Sequence, residues 1–556
     1  MFENIKTKIA NRVLYFLFYR IWRKFWRKSK SADNIQTEYL IGILQKNAKT
    51  QFGQKHNFNQ INNVLDFQKY VPISDYENYI EYIGSIKKGE KSVLTTDAVI
   101  KFSLSSGTAT ASKNIPNNSS LLKEFDNCIS VWLCDLYKKF PQIMNGRAFW
   151  IITPSTKIPE TIGKINTGFD NDSEYFSPIK QWFIRNIFAV PDEVAHYCQG
   201  ENYYFVIATF LLSDKNLRLI SVWNPSILLI LLDKTRYYQN QIIESIEKGQ
   251  LLVPEPMDLN HLKILEKRFK KNYKRAKELY SIFQSNSENS RLWSIVWPNL
   301  TLISAWDSAW ASTPANQVKK IFPNVSFQGK GLLATEACIT FPVNIDNNKN
   351  EYIPAFTSHF FEFECIDTKE IKLLHQLNMN KNYEVIVTTG GGLYRYRLND
   401  IVYCCGFSRG LPLLRFEGKS NLISDITGEK LHESHVIDVL KTVFDELKIQ
   451  STFYFIAPEI NDKNCFYTLF IYSLDAFDLN ILQEKVELSL CENFHYKHSR
   501  EMEQLQKLKV QILNKDSITR FYSIIQSKTH LGAFKQSVLR KETFWLEKLS
   551  NCFQKP

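Results

Sequence analysis

Around Leu300 the chain changes its pattern, and that change limits the folds open to it. Upstream, residues 222–285 read as a run of helices. "VWNPSILLILLDKTRYYQNQIIESIEKG" and "HLKILEKRFKKNYKRAKELYSIF" repeat apolar residues at helical spacing and leave basic faces to solvent. Downstream come short apolar runs cut by turns: "VSFQGKGLLATEACITFPV", "FTSHFFEFECI", "NYEVIVTTGGGLYRYRLNDIVYCCGF" and "LLRFEGKSNLISDITGEKL". Those are strand signals. Beyond Gly418 a smaller α/β segment is expected, with helices at His435–Leu447 and Ile481–Glu492 and strands at "STFYFIAPEI" and "CFYTLFIYSL". A chain of 556 residues is too long for one core, so a large N-terminal domain and a C-terminal one of about 140 residues are expected.

Before Leu300, residues 1–50 read as helical, with Leu40, Ile41, Leu44 and Ala48 at helical spacing and a break at Gly53. "SVLTTDAVIKFSLSSG" alternates like a strand, and Ser120–Lys139 reads as a helix. "AFWIITP" and "YYFVIATFLL" read as buried strands or strand–helix passages. With 44% hydrophobic and 23% charged residues the chain is an ordinary globular protein. Its net charge of +12 is local: residues 1–30 carry nine Lys/Arg against Glu3, or +8. A chain-wide nucleic-acid footprint is therefore excluded.

That basic N-terminus, "VLYFLFYRIWRKFWRK", is too short in its apolar run to span a bilayer. Its interleaved aromatic and basic residues would suit peripheral contact of residues 1–30 with an anionic membrane. A first helix docked on the body with wet charges is the plainer reading, and the one favoured. The ten cysteines show no CxxC pair, and buried free thiols in a reducing compartment explain them.

Four stretches carry residue types that chemistry needs. "KFSLSSGTATASKNIP", Lys101 to Pro116, runs into hydroxyls clustered about Gly107. N–H groups and hydroxyls in such a loop can surround a phosphate, although a plain solvated loop has the same composition. No Walker pattern is present. "GLLATEACI" sets Thr335 beside Glu336 at the mouth of an expected strand, where a carboxylate can hold Mg²⁺. "TTGGGLYRYRLNDIV" has three glycines that allow close backbone approach. There Tyr394 and Tyr396 share one strand face and Arg395 and Arg397 the other, with Asp400 ending the strand, suited to ribose hydroxyls. A hairpin turn with surface arginines is the plain alternative. "FEGKSNLISDITGEKLHESH" offers a hinge at Gly418 and a cation at Lys419, or an ordinary polar connection. His432 with His435, and His495 with His498, are spaced for one helix face, yet no acidic or cysteine ligands join them, and they read as structural.

Taken in order, these stretches resemble a known set. "SSGTATASKNIP" is similar to the phosphate-loop signature "SSGTTxGxxKxIP", one residue shorter; "ATEA" resembles the "SSE/TE" element; "LYRYRLND" matches "LYRYRxGD" nearly residue for residue. The set belongs to the Gretchen Hagen 3 family of acyl acid–amido synthetases, a branch of the adenylate-forming ligases. "NAKTQFGQKHNFNQI", "VPISDYENYIEYI", "FFEFE" and "GAFK" resemble further family segments, so the likeness covers essentially the whole chain.

The resemblance implies an α/β fold: a large adenylate-forming N-terminal domain over 1–417, with β-sheets and a barrel flanked by helices, and a mobile C-terminal α/β lid over 418–556. It implies ATP and Mg²⁺ as well. Ser105, Ser106, Gly107 and Thr108 would cradle the ATP phosphates, and Thr335 and Glu336 would meet the α-phosphate region and Mg²⁺. Asp400 would bind the ribose, and Lys419 stands where the family has an arginine or lysine past the hinge. Lys535, in "GAFKQS", stands where a C-terminal lysine stabilises charge during adenylation. Ala109, Ala111 and Asn399 depart from the pattern, and "FKQSVL" lacks the usual proline and arginine after the lysine.

The implied reaction activates a carboxylic acid as an acyl adenylate and transfers it to an amine, an amino acid in the family, with Lys535 and Glu336 as catalytic groups. The implied partners are these small molecules, and the implied state is a cytoplasmic monomer. Two alternatives remain at this level: a coenzyme A thioester ligase, and a nucleotide-binding or membrane-associated homologue that no longer catalyses.

Overall fold

The computed structural model of the chain describes residues 2–105, 113–150, 161–162, 165–168, 176–285, 291–308, 311–342, 351–420, 423–461, 464–473, 475–526, 537–550 and 553. A parallel sheet lies near the middle of the body: Arg147–Trp150, Leu217–Ser221, Leu302–Ala305 and Ser326–Gly329, side by side in that order. Strands such as "LRLIS" and "LISA" are almost wholly buried, as expected when helices cover both faces. The run "YYFVIATFLL" lies in the helix Gly200–Ser213, not in a strand. Nearly every position of it is buried, so it has no polar face and periodicity could not reveal the helix.

A second sheet pairs Lys101–Ser105 with Lys113–Asn117 antiparallel, which fixes both ends of the Ser/Thr loop. The hairpin then runs straight into the helix Ser119–Lys139, capped by Asn118, whose side chain accepts from the Leu121 N–H at 2.9 Å. The first helix, Phe2–Lys28, packs along this helix.

The strand-rich half forms an antiparallel sheet in the order Ile371–Leu373, Phe360–Cys365, Asn382–Thr388, Tyr396–Ser408, Leu411–Lys419. A bridge from Tyr352 to Leu414 continues it towards the pair Ile353–Pro354 and Thr340–Phe341. Past Lys419 a three-stranded sheet is built from Ser451–Asn461, Asn464–Ser473 and Lys509–Ile512. Ile456, Leu469 and Ile471 face a core shared with the helices Glu433–Leu447 and Leu479–Leu490. Phe455, on the opposite face, stacks on Phe470 and meets Phe521 and Trp545.

Three further expectations change. Gly53 does not break a helix: it sits inside the helix Gln51–Lys55, where its N–H bonds the capping Thr50 hydroxyl at 3.0 Å. Its lack of a side chain is used for close approach, since a Cβ would lie 2.2 Å from the Asn47 carbonyl oxygen. Nor are all cysteines free. Cys128 and Cys338, with sulfurs 2.07 Å apart, form a disulfide across 210 residues, a pairing that spacing along the chain cannot announce. Finally, Asp400 lies inside the strand Tyr396–Ser408 and does not end it.

Candidate active site

Glu336 sits at the tip of a tight turn. Ala334 N–H bonds the Ala337 carbonyl at 2.9 Å, Leu333 bridges Cys338, and Thr335 and Glu336 are the residues between. The turn is anchored from below: Cys338 N–H donates to His359 Nε2 at 3.0 Å, and His359 Nδ1 lies 3.1 Å from Glu124 on the long helix. Glu124 also accepts the Gly390 N–H at 2.9 Å and the Tyr39 hydroxyl at 2.5 Å. One buried carboxylate thereby fixes the helix after the Ser/Thr loop, the Glu336 turn and the triple-glycine turn to one another. A Cβ on Gly390 would fall 2.2 Å from Glu124 Oε1, so the glycine is required by this contact.

Asp400 is placed by a backbone irregularity. The register between Asn382–Thr388 and Tyr396–Ser408 shifts where Leu398–Asp400 bulge out, and Asn399 there has φ +59°. This left-handed conformation explains the departure at Asn399. Glycine suits it best, and asparagine is the residue that tolerates it next. Opposite Asp400 in the ladder stands Lys419, its Nζ 2.9 Å from Asp400 Oδ1. Asp400 is 1% exposed and the Lys419 side chain 20%, so the carboxylate is buried and its cation part-buried.

Glu336, 8% exposed, shares the same cation. Burial pushes its carboxyl above the usual carboxylate range, against the attraction of Lys419 and Lys113, while Asp400 adds to the push. Burial alone would lower the Lys419 ammonium, yet Asp400, with Glu336 and Glu433 behind it, carries it above its ordinary value. Tyr396 is raised too, by burial and then by Glu336. The Lys113 ammonium, at the far end of the Ser/Thr loop, donates to the Tyr396 hydroxyl at 3.3 Å and lies 5.4 Å from the Tyr76 ring centre. Four remote segments therefore share one field at the Ser/Thr-loop exit, the Glu336 turn, the Asp400 bulge and the Lys419 strand end.

Of the residues singled out in the sequence, Glu336, Asp400 and Lys419 come together, with Thr335 on the same turn. Ser105 ends its strand opposite Lys113. Ser106, Gly107, Thr108, Ala109, Ala111 and Lys535 lie outside the described residues. Ser537, two positions after Lys535, donates to Glu433 Oε1 at 2.6 Å, and Glu433 is one of the carboxylates acting on Lys419. Sequence reasoning missed Lys113 and Glu433. The signal for Lys113 was present, because it is the lysine of the matched loop signature; Glu433 had none.

Of the arginines of "LYRYRLND", Arg395 is buried and Arg397 part-buried. Arg395 is buried with φ +48°, which breaks the expected alternation, and makes a two-pronged pair with Glu362 at 2.9 and 3.0 Å. Arg397 pairs with Glu364 at 2.5 Å and with Glu384. Arg397 thereby ties the strand at the edge of the bulge to Glu384, whereas Arg395 is held by Glu362 and the carbonyls of Gln68 and Val71. Among the described residues no three His, Cys, Asp or Glu side chains assemble to hold a metal; of the paired histidines, His435 Nε2 lies 3.4 Å from the Leu490 carbonyl oxygen and the His498 ring stacks on Phe494.

Beside the Glu336 turn an apolar pocket opens between Trp132, Trp150 and Trp223, with Leu333 and Cys338 of the turn in its wall. Lys330 stands inside it, its ammonium 2.8 Å from Ser221 Oγ and 4.5 and 4.3 Å from the ring centres of Trp132 and Trp223.

Family models match this chain in two blocks, the GH3 family N-terminal domain over residues 22–327 and the GH3 family central domain over residues 352–419. The chain belongs to the GH3 family. Among curated relatives, the jasmonoyl–L-amino acid synthetase JAR4 of Nicotiana attenuata is 25% identical over 72% of this chain and 72% of its own. The indole-3-acetic acid-amido synthetase GH3.8 of Oryza sativa subsp. indica is 22% identical over 73% of this chain and 69% of its own. Among solved structures, the GH3.15 acyl acid amido synthetase superposes with a TM-score of 0.82 at 17% identity, covering 96% of each chain. A 2-hydroxyisobutyryl-CoA ligase in its postadenylation state gives 0.51 at 9% identity over 91% of this chain and 89% of that one. The fold is that of the adenylate-forming enzymes, and the matched GH3 blocks contain Glu124, Asp400 and Lys419.

Proposed function

We propose that this GH3 protein is an ATP-dependent ligase joining a carboxylic acid to the amine of an amino acid. The observation that carries the proposal is the shared field of Glu336, Asp400, Lys419 and Lys113, from segments distant in sequence. The names of its relatives, amido synthetases and jasmonoyl–amino acid synthetases, support the same reaction class. ATP would lie with its phosphates between Ser105–Thr108 and Lys113, its α-phosphate at Thr335 and its ribose at Asp400. Mg²⁺ suits this donor set. Such an ion usually keeps several waters beside phosphate oxygens and takes few protein ligands, and Glu336 would supply one carboxylate to it.

In this proposal the substrate carboxylate attacks the α-phosphorus and pyrophosphate leaves, converting a poor leaving group into AMP. The amine nitrogen then attacks the acyl carbon, loses a proton, and AMP departs. Lys419 and Lys535 balance charge on the phosphate oxygens, the first from the sheet and the second from the C-terminal segment. The tryptophan-lined pocket beside the Glu336 turn is proposed to hold the acyl group. Residues 1–417 and 418–556 are proposed as the two units, with movement at Gly418, where φ is +154° and a Cβ would meet nothing within 4 Å. A cytoplasmic monomer completes the proposal; among the described residues no helix is long and apolar enough to cross a membrane.

The test is exchange of labelled pyrophosphate into ATP over a panel of acids, followed by mass spectrometry of products formed with amino acids or with coenzyme A. Acid-dependent exchange with an amide product is expected. A thioester product would replace the acceptor, and no exchange with any acid would overturn the reaction.

A further inference from the structure

The first helix has an inner and an outer face. Ala10, Leu14, Phe18 and Phe25 are buried against the body, as the plainer reading of this segment expects. The outer face carries Ile5, Ile9, Arg12, Phe16, Arg20 and Arg23 at intervals of three or four residues, which sets them in one line along the axis. Ile9 and Phe16 are 55% and 56% exposed. The Arg20 guanidinium lies 4.8 Å from the Phe16 ring centre, so cation and aromatic ring are presented together.

A second helix, Pro178–Arg185, lies alongside. Thr7 donates to the Asn186 carbonyl at 3.2 Å, and the Lys180 ammonium is 5.4 Å from the Phe18 ring centre. One turn apart, its Ile179 and Trp182 are 70% and 64% exposed. Single exposed apolar residues are normal on protein surfaces. Here large ones recur on two neighbouring helices and are interleaved with cations, while the first helix holds Glu3 as its sole acidic residue. Exposed Lys138 extends the basic rim, its ammonium 4.6 Å from the Trp22 ring centre.

Cations alone would suit any polyanion, and apolar side chains alone would suit another protein. Cations flanking isoleucine, phenylalanine and tryptophan suit a surface that is anionic outside and apolar just beneath. We propose that the outward faces of the helices Phe2–Lys28 and Pro178–Arg185 form a docking surface for an anionic lipid bilayer. The helices lie in the plane of the surface, arginines on the headgroups and Ile9, Phe16, Ile179 and Trp182 below them. This surface is independent of the ligase reading, since none of its residues belongs to the nucleotide or acyl site.

The experiment uses the full chain with vesicles of phosphatidylcholine alone or with a third phosphatidylserine, separated by flotation. Binding to the anionic vesicles and little to the neutral ones is expected. The R12Q/R20Q/R23Q variant should partition about 100-fold more weakly, at about fivefold per cation. F16S/W182S should also weaken binding while pyrophosphate exchange stays at the wild-type rate. Should either variant fold poorly, quenching of wild-type tryptophan fluorescence by bromolipid reads insertion directly. Three results would overturn the proposal: wild-type protein left unbound by anionic vesicles, F16S/W182S binding as tightly as wild type, or RNA displacing the vesicles at matched charge. A dimer in solution that buries these two helices would overturn it as well.

Discussion

Replacing Lys419 with methionine removes the cation that Asp400 and Glu336 share and keeps most of its volume. At 2.9 Å the Lys419–Asp400 pair has about 6 kcal/mol of gross attraction at an effective dielectric of about 20. Desolvation offsets part of that, and breaking a buried pair costs about 3–5 kcal/mol because the survivor stays buried and unpaired. Two carboxylates can respond by taking up a proton, so the low end, about 3 kcal/mol, is expected near pH 8.

The pH dependence isolates the cause. Lys419 has a folded pKa above its unfolded value. Its contribution is therefore complete below the unfolded lysine pKa of about 10.4, is lost only as pH rises through the folded pKa, and is constant between about pH 5 and 8. Glu336 is also raised, so its favourable contribution is full below about pH 4.3 and is lost as pH climbs through its folded pKa. Without the pull of Lys419 that folded pKa moves higher, and the variant loses stability with rising pH across this window. Urea unfolding of both proteins should show a gap of about 3 kcal/mol near pH 8 that shrinks to about half near pH 5. A gap identical at the two values, or no gap, would refute the idea that these groups share one field.

Other consequences are simpler. Asn399→Gly should leave stability within about 0.5 kcal/mol of wild type, whereas Asn399→Val should lose about 2 kcal/mol in urea unfolding, because a β-branched residue resists φ +59°. Gly390→Ala drives a methyl into Glu124 and should cost at least about 2 kcal/mol, visible as a lower unfolding midpoint. Glu362→Gln leaves the buried Arg395 guanidinium short of its carboxylate and should cost about 3 kcal/mol by the same measurement. Glu336→Gln should lower pyrophosphate exchange by about 100-fold with little change in unfolding, as expected of a group that acts on the reacting phosphates.

Much of the local structure was legible. The helix Ser119–Lys139, the strand feeding the Ser/Thr loop and the sheet after Leu300 all followed from periodicity and turn residues. The helix Gly200–Ser213 was not, because a segment buried on all sides has no polar face to betray its period. Arg395 was misread for a different reason: alternation assumes an unbroken strand, and a positive φ at that residue turns its side chain into the core.

What the sequence determined by itself was chemistry available at short range: a hydroxyl-rich loop, an asparagine able to take a glycine's conformation, a glycine turn and a basic-aromatic first helix. Tertiary structure alone decided that Glu336, Asp400, Lys419 and Lys113 answer to one another, that Glu124 ties three segments together, and that Cys128 finds Cys338. The reason is physical. Propensity and periodicity act between neighbours along the backbone, whereas Coulomb attraction, hydrogen bonds and sulfur pairing depend on distances in space that only the packed chain sets.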